Sequence, residues 1–317
     1  MSDTERGRAP VTMPFRQWWG SHVSADVDHR AVVEKVREDA GWSNHFAFMT
    51  MMSAGIAVLG LLLSSPAVVI GAMLISPLMG PIIGLGFALA TFDSVEIRRS
   101  GRALLTGILL AVALCALLVL VSPLQTVTSE IASRTRPNLF DLMVALFSGL
   151  AGTYATIRGR QGAIVGVAIA TALMPPLAVM GFGLATLNGP VLGGSALLFF
   201  TNHMTIAASA AVLARLYGFA PGLSPQQTRL QATLIIATLI ALAIPLALSL
   251  RQIAWEAVAG RQASDAIAAA FPSGARVTQF DVNYHAQPIE IAATVFTPSY
   301  RGDAEKKLRE ELSLLMD

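Results

Sequence analysis

Long apolar stretches separated by short polar loops make up most of the chain. Seven of these stretches have about 20 residues, the length of a helix that crosses the hydrocarbon of a bilayer. They cover residues 46–63, 68–91, 103–121, 139–157, 165–186, 195–213 and 230–250. The pattern predicts an all-α polytopic membrane protein with seven transmembrane helices.

The second stretch carries two prolines in its middle, Pro77 and Pro81. A proline has no N–H and clashes with the carbonyl four residues earlier, so the carbonyls of Met73 and Pro77 are expected to lose their helical partners. Such carbonyls are tolerated in a membrane only against protein, a side-chain donor or water. We therefore expect this broken helix to face the interior of a helix bundle.

Ser76 precedes the first of these prolines. A hydroxyl followed by proline has the residue types of a helix restart, with a capping side chain and a proline at the first helical position. The alternative is a simple proline kink in which Ser76 bonds to the freed carbonyl. The two interpretations stay open at the level of sequence.

The fifth stretch is a second copy of the second. A shift of 95 residues places residues 71–91 on residues 166–186, with nine identities in 21 positions and no gap. The identities include Pro81 on Pro176 and Gly86 on Gly181, which apolar composition alone does not explain. We infer an internal duplication of about 80 residues per unit. Each unit has three spans, an odd number, so the two copies cross in opposite directions and form a 3+3 inverted repeat.

The repeat and the change of character after it predict five segments. These are a polar, partly helical lead-in at 1–43, a first membrane repeat at 44–122, a second at 139–217, a seventh span at 228–251, and a small soluble α/β domain at 252–317. The last segment is predicted to begin with a helix. Two strands at 275–284 and 289–296 and a charged helix at 303–315 should follow.

Composition agrees with a membrane protein. Hydrophobic residues make up 54% and charged residues 13% of the chain, whereas a soluble domain has about 25% charged residues. The net charge of +2 is too small to suggest a nucleic-acid partner. HExxH, GxSxG, P-loop and metal-ligand spacings do not occur, so we expect neither an enzyme nor a bound metal or cofactor.

Arginine and lysine near the spans predict the orientation. With the N-terminus inside, ten of these residues fall in inside segments and four in outside segments. Seven spans then place the N-terminus in the cytoplasm and the C-terminal domain outside it. The Arg134 and Arg136 pair, on the outside, is the weak point of this assignment.

The runs LISPLMGPIIG at 74–84 and ALMPPLA at 172–178 resemble the prokaryotic family of hydrophobic proteins named domain of unknown function 389. The resemblance covers roughly residues 44–250. It implies a multi-pass protein of a prokaryotic plasma (inner) membrane. It implies no substrate and no catalytic residues, so function has to be argued from this chain.

The sixth span contains the polar group TNHMT at 201–205. Asparagine and histidine are costly in hydrocarbon unless they have partners, so this group should face the bundle interior. Two roles stay open: contact with a solute, or a structural lock in which Asn202 and His203 bond to the carbonyls freed by the prolines. The candidate solute-binding residues are Ser76, Pro77, Pro81, Thr106, Thr171, Pro175, Pro176, Thr201, Asn202, His203 and Thr205.

The duplication, the two broken helices and this polar group favour a transporter or channel for a small solute. Intramembrane carboxylates are scarce, because Asp93 and Asp141 lie near span ends. Their scarcity favours a passive channel, or an anion or a neutral solute. The N–H groups of a restarting helix would also favour an anion. The alternative is a non-transporting oligomeric anchor or sensor that acts through its C-terminal domain. In either case the expected partners are the lipid bilayer and further copies of the chain.

Overall fold

The computed structural model describes residues 27–159, 173–219, 225–271, 276–283, 290–297 and 308. The chain divides into two compact units, Met1–Leu246 and Ala247–Asp317. The described part is mostly helical. Its helices are α1 (His29–Ala40), α2 (Asn44–Leu62), α3 (Pro66–Leu74), α4 (Met79–Thr91), α5 (Ser94–Val121), α6 (Ser129–Ala132), α7 (Leu139–Ile157), α8 (Met174–Ala185), α9 (Gly189–Leu216) and α10 (Pro225–Ala270).

Five of the described helices are long and apolar enough to cross a membrane, and the bent pair of α3 and α4 makes a sixth candidate. The described residues therefore fit an all-α multi-pass membrane protein. The first, third, fourth and sixth predicted spans correspond to α2, α5, α7 and α9. Part of the fifth predicted span, residues 165–172, lies outside the described residues, as do residues 1–26 of the lead-in.

Side-chain caps set where several of these helices begin. Asp93 accepts hydrogen bonds from the N–H groups of Val95 and Glu96, and Asn188 accepts one from Val191. These caps satisfy backbone donors that have no partner within the helix. Because the caps lie upstream of the apolar runs, α5 and α9 begin earlier than the predicted spans at 103 and 195.

The helix boundaries repeat along the chain with a fixed offset. Here the first half means residues 44–122 and the second half residues 139–217. A shift of 95 residues carries α2 onto α7, with 19 residues each, and α5 onto α9, with 28 residues each. The turn before α5 agrees as well, because Phe92 and Leu187 both have left-handed backbone angles, with φ of 55° and 53°. The offset found in the sequence is thus also the offset between helix ends.

The proline-broken stretch is two helices rather than one kinked helix. The axes of α3 and α4 differ by 55° across the break at residues 75–78. The carbonyls of Met73 and Pro77 lose the helical partners four residues ahead, as expected, but each accepts a local bond instead. The N–H of Ser76 donates to the Met73 oxygen at 3.2 Å, and the N–H of Gly80 donates to the Pro77 oxygen at 3.3 Å. Because the chain leaves the helix before the first proline, bonds three residues apart replace bonds four residues apart.

Both interpretations of Ser76 were also wrong. The second helix begins at Met79, after Leu78, and has no side-chain cap. The Ser76 hydroxyl is buried and has no hydrogen-bond partner among the described residues. It therefore neither caps α4 nor bonds to a freed carbonyl. Pro81 lies in the first turn of α4, where a missing N–H breaks no helical bond.

Helix α4 crosses α9 at a glycine. A Cβ built on Gly86 would lie 2.5 Å from the Ala210 Cβ and 2.6 Å from the Ala207 oxygen. Nothing larger than glycine fits there without movement of a backbone. The two helices therefore approach each other backbone to backbone.

Helix α8 crosses α5 in the corresponding way. A Cβ built on Gly181 would meet the Cβ of Cys115, the N–H of Ala116 and the carbonyl of Val112. A shift of 95 residues places Val112, Cys115 and Ala116 on residues 207, 210 and 211 of α9. These are the residues that Gly86 contacts. Each half therefore supplies a glycine to the long helix of the other half.

Helix α1 packs at one end of the first unit. Its Val32 and Val36 are buried, and the carbonyl of Asp39 lies against Gly80. Arg37 pairs with Asp93 and with a second carboxylate, that of Glu96, each at 3.4 Å. The apolar cluster at this end includes the last turns of α4, α7 and α9.

The loop before α7 lies at the end of α2. The Thr128 hydroxyl donates to the Leu61 oxygen at 2.8 Å, and the hydroxyls of Ser64 and Ser129 lie 3.1 Å apart. The turn that joins α2 to α3 is therefore held to α6. These contacts fix the loop without a charged pair between the two segments.

The last helix continues past the predicted end of the seventh span. Helix α10 runs from Pro225 to Ala270, so residue 251 is not a helix end. The predicted seventh span and the predicted helix after it are joined, because Arg251 and its neighbours are compatible with a helix. In the second unit, β1 (Arg276–Asn283) and β2 (Glu290–Phe296) form an antiparallel pair, close to the two predicted strands. The predicted helix at 303–315 lies outside the described residues, apart from residue 308.

The glycine crossings generate a prediction about stability. We expect Gly86→Ala to lower the free energy of unfolding by about 1–3 kcal/mol, because the added methyl group overpacks a closed contact. Gly101→Ala in α5 is the matched control, since a Cβ there meets no atom within 4 Å. The control should stabilise by about 0.5–1 kcal/mol, because it removes a helical glycine. Unfolding in detergent, followed by circular dichroism, measures both variants, and equal effects would contradict the crossing.

Candidate solute-binding site

The polar group at 201–205 lies in the middle of α9. Asn202 and His203 are 4% and 7% exposed, and Thr201 and Thr205 are fully buried. The burial agrees with the expectation that the group faces protein rather than lipid. Because α9 begins at Gly189, the group lies about 18–24 Å along the helix at ~1.5 Å per residue.

The hydroxyls of this face bond to their own helix. Thr205 donates to the Thr201 oxygen and Ser209 to the Thr205 oxygen, both at 2.7 Å. Thr201 donates to the Leu198 oxygen at 3.0 Å. Their donors are occupied, so only their oxygen lone pairs remain for a ligand. The groups that extend away from the helix backbone are the side chains of Asn202 and His203.

His203 is held mainly by aromatic packing. Its ring stacks on Phe199, with centroids 5.4 Å apart and an angle of 24°, and meets the edge of Phe200 at 5.7 Å. Its Nδ1 atom is buried and has no hydrogen-bond partner in the described part of the chain. A buried polar atom without a partner costs about 1–3 kcal/mol. Such an atom is a candidate contact for a ligand.

The structural lock is not needed in the first half of the protein. The carbonyls of Met73 and Pro77 already accept from the chain's own N–H groups. Each of these two carbonyls therefore has a partner within the break itself. The carbonyls four residues before Pro175 and Pro176 belong to residues 171 and 172. These lie outside the described residues, as does the candidate Thr171.

Asn202 lies beside the start of α8. Helices α8 and α9 pack against each other and are joined by residues 186–188, so they run antiparallel. Gly183 lies against Leu192. Because the two helices are antiparallel, the residue ten before Gly183 lies opposite the residue ten after Leu192. Leu173 therefore lies opposite Asn202. The buried prolines of α8, Pro175 and Pro176, follow in its first turn.

The remaining candidates form a second group at the corresponding place in the first half. Ser76, Pro77 and Pro81 lie at the break before α4 and in its first turn. Thr106 does not face this group: its side chain is exposed, and its hydroxyl donates to the Arg102 oxygen at 2.7 Å. The inclusion of Thr106 was therefore wrong. Neighbouring residues point about 100° apart on a helix, and Gly107 is the buried one.

The candidates chosen from the sequence did not include Asp141. This residue is in the first turn of α7, and its carboxylate accepts from the Asn138 N–H at 2.8 Å. The shift of 95 residues that relates the halves places it on Phe46, whose ring packs against Gly107. That shift was the available signal. Asp141 was left out because it lies close to the end of a span.

Comparisons with known proteins agree with the family resemblance. Residues 73–208 match the model of the family described as domain of unknown function (DUF389). The resemblance of the proline motifs is thereby confirmed over this stretch. The chain is 29% identical over 182 residues to an uncharacterised protein of Methanocaldococcus jannaschii, and the match covers 57% of each chain. The chain thus spans a little over half the length of that relative. No solved structure matches it.

The environment of His203 generates a second prediction. We expect His203→Phe to leave the free energy of unfolding unchanged or to raise it. The substitution keeps the stack on Phe199 and removes a nitrogen without a partner, whose burial costs about 1–3 kcal/mol. Phe199→Ala is the control and should be destabilising, because it empties the stack. Loss of more than ~2 kcal/mol in His203→Phe would instead show that the nitrogen forms a structural bond.

Proposed function

We propose that this protein is an integral membrane transporter or channel for a small solute, built as a 3+3 inverted repeat. The main support is the exchange of glycine crossings. Gly86 of the first half contacts α9, and Gly181 of the second half contacts α5. The residues contacted on the two long helices correspond to each other by the same shift of 95 residues. Such reciprocal contacts are those of two copies related by a two-fold axis. With an odd number of spans in each copy, the axis lies in the membrane plane, as in many secondary transporters.

The broken helices support the same proposal. Transporters of this architecture bind their solutes at discontinuous helices near the middle of the membrane. The break between α3 and α4 provides one such place, and the start of α8 is its counterpart. Buried polar side chains lie beside α8, at Asn202 and His203. Buried polar residues in a membrane bundle are functional candidates by default.

The orientation follows from one charged end. Helix α1 packs with the last turns of α7 and α9, and its Arg37 pairs with Asp93. Arg158 and Arg215 lie at those last turns. Basic residues favour the cytoplasmic side. We infer a cytoplasmic N-terminus and an extracytoplasmic C-terminal domain, in the plasma membrane of a prokaryote.

The starts of α4 and α8 weaken the argument for an anion as the solute. The sequence favoured an anion, because free N–H groups and the positive end of the helix dipole attract negative charge. In α8, however, Pro175 and Pro176 have no N–H, and in α4 the N–H of Gly80 already bonds to Pro77. Few backbone donors are then left for an anion. An anion therefore becomes one outcome of the test and not its premise.

A flux measurement tests transport. The protein, reconstituted in liposomes, should pass at least one of three tracers: rubidium, iodide or glycerol. Asn202→Ala and His203→Ala should slow that flux by about tenfold or more, because they remove polar contacts beside α8. Thr106→Ala is the control and should keep the wild-type rate, since this threonine is exposed.

The same measurement decides against the proposal if the wild type passes none of the three tracers. The protein would then be a non-transporting oligomeric anchor or sensor. Unchanged flux in both site variants, at equal folded yield, would leave transport standing but move the site elsewhere. Folded yield is checked by size-exclusion chromatography before reconstitution.

Cysteine labelling tests the topology. In a Cys115→Ala background, cysteines placed at the exposed positions Leu187 and Thr294 should react with a membrane-impermeant maleimide on intact cells. A cysteine at Lys35 in α1 should react only after lysis. Reaction of Lys35→Cys on intact cells would reverse the orientation, and protection of Thr294→Cys would place the C-terminal domain in the cytoplasm.

A further inference from the structure

The two halves differ at an inward-facing position in the middle of their long helices. In the first half, the ring of Phe46 packs against Gly107: a Cβ built on this glycine would lie 2.9 Å from the ring Cζ and 3.3 Å from Leu78 Cδ2. Hydrocarbon side chains therefore occupy the space that a side chain at residue 107 would take. This position is therefore a closed apolar contact.

Two substitutions change that contact in the second half. The shift of 95 residues places Phe46 on Asp141, Gly107 on Asn202 and Leu78 on Leu173. An aromatic ring is thus replaced by a carboxylate, and a glycine by a carboxamide. The leucine is unchanged. Both members of the packed pair become polar together.

In each half, the residues that touch between the first helix and the long helix are separated by a similar number of residues. In the first half, the Ala54 carbonyl accepts from Cys115, 61 residues further along the chain. In the second half, Gly149 lies against Ile206 and Ser209, which are 57 and 60 residues further. Asp141 and Asn202 are separated by 61 residues. Asp141 therefore lies beside the turn of α9 that carries Asn202.

The charged group at this place, the Asp141 carboxylate, is an acceptor. One oxygen of the Asp141 carboxylate accepts from the Asn138 N–H, and a carboxylate has about four acceptor positions in all. Asn202 contributes a carboxamide, and the buried Nδ1 of His203 next to it has no partner among the described residues. A carboxylate beside a neutral carboxamide favours positive charge over negative charge.

We propose that Asp141, Asn202 and His203 form a binding site for a small monovalent cation. Asp141 supplies the negative charge, the oxygen atoms of Asp141 and Asn202 are the ligands, and the neutral ring of His203 borders the site. This inference rests on the proposed transport function and gives it a solute class. Among the described residues, no group of three or more His, Cys, Asp and Glu side chains could hold a metal ion. A monovalent cation needs only one carboxylate with neutral oxygen ligands, as hard cations prefer.

The competing explanation is that Asp141 only caps α7. Its carboxylate completes a capping box with Asn138. Glutamine at the same helix position keeps that bond without the charge, so Asp141→Gln separates the two roles. A second variant, Asp141→Phe with Asn202→Gly, gives this place the residues of the first half. It serves as the test if the glutamine variant fails to fold.

Two measurements test the inference, cation binding and cation flux. Replacing N-methylglucamine by sodium or potassium should raise the unfolding temperature of the wild type in detergent by about 2–4 °C or more, because the cation binds the folded state. Liposomes with the wild type should take up rubidium. Asp141→Gln should lose the temperature shift and slow uptake by about tenfold. The control Asp93→Asn keeps its helix cap and should retain both properties.

The outcomes separate this inference from the transport proposal. Uptake of iodide or glycerol without rubidium, or a cation response that Asp141→Gln retains, overturns the cation site and leaves transport standing. A cation-dependent shift that Asp141→Gln abolishes, without flux of any tracer, supports the site and removes transport. If the glutamine variant does not fold, a double variant that keeps the wild-type cation response overturns the site.

Discussion

The structure depends on two places where helix backbones touch. Gly86 brings α4 against α9, and Gly181 brings α8 against α5. Between helices in lipid the hydrophobic effect gives little attraction, so association relies on close packing of small residues. A side chain at either glycine would separate the helices that hold the two halves together. The crossings therefore set the position of α4 and α8 relative to the long helices.

The crossings determine which residues surround the candidate site. The long helices α5 and α9 each pack against a broken or shortened helix of their own half and of the other half. Their middle positions, Gly107 and Asn202, lie opposite Leu78 and Leu173, next to the starts of α4 and α8. The first half fills this place with apolar side chains and the second half with polar ones. A duplicated framework thus supplies two equivalent places, of which one carries polar chemistry.

Much of this arrangement was predictable from the offset of 95 residues, since it aligns Gly86 with Gly181 before any coordinates are known. The helix starts were not, because caps at Asp93 and Asn188 extend helices beyond their apolar runs. The break near Pro77 removes two helical bonds as expected, but the short local bonds that replace them were not predicted. Thr106 was misplaced because sequence spacing alone does not determine which face of a helix is buried.

The inverted repeat is the central claim, and an experimental structure of the protein in a lipid nanodisc tests it most directly. The measured quantity is the rotation that superposes residues 44–121 on residues 139–216. The account predicts a rotation of about 180° about an axis parallel to the membrane plane. A rotation about the membrane normal, or two halves that do not superpose, would contradict it.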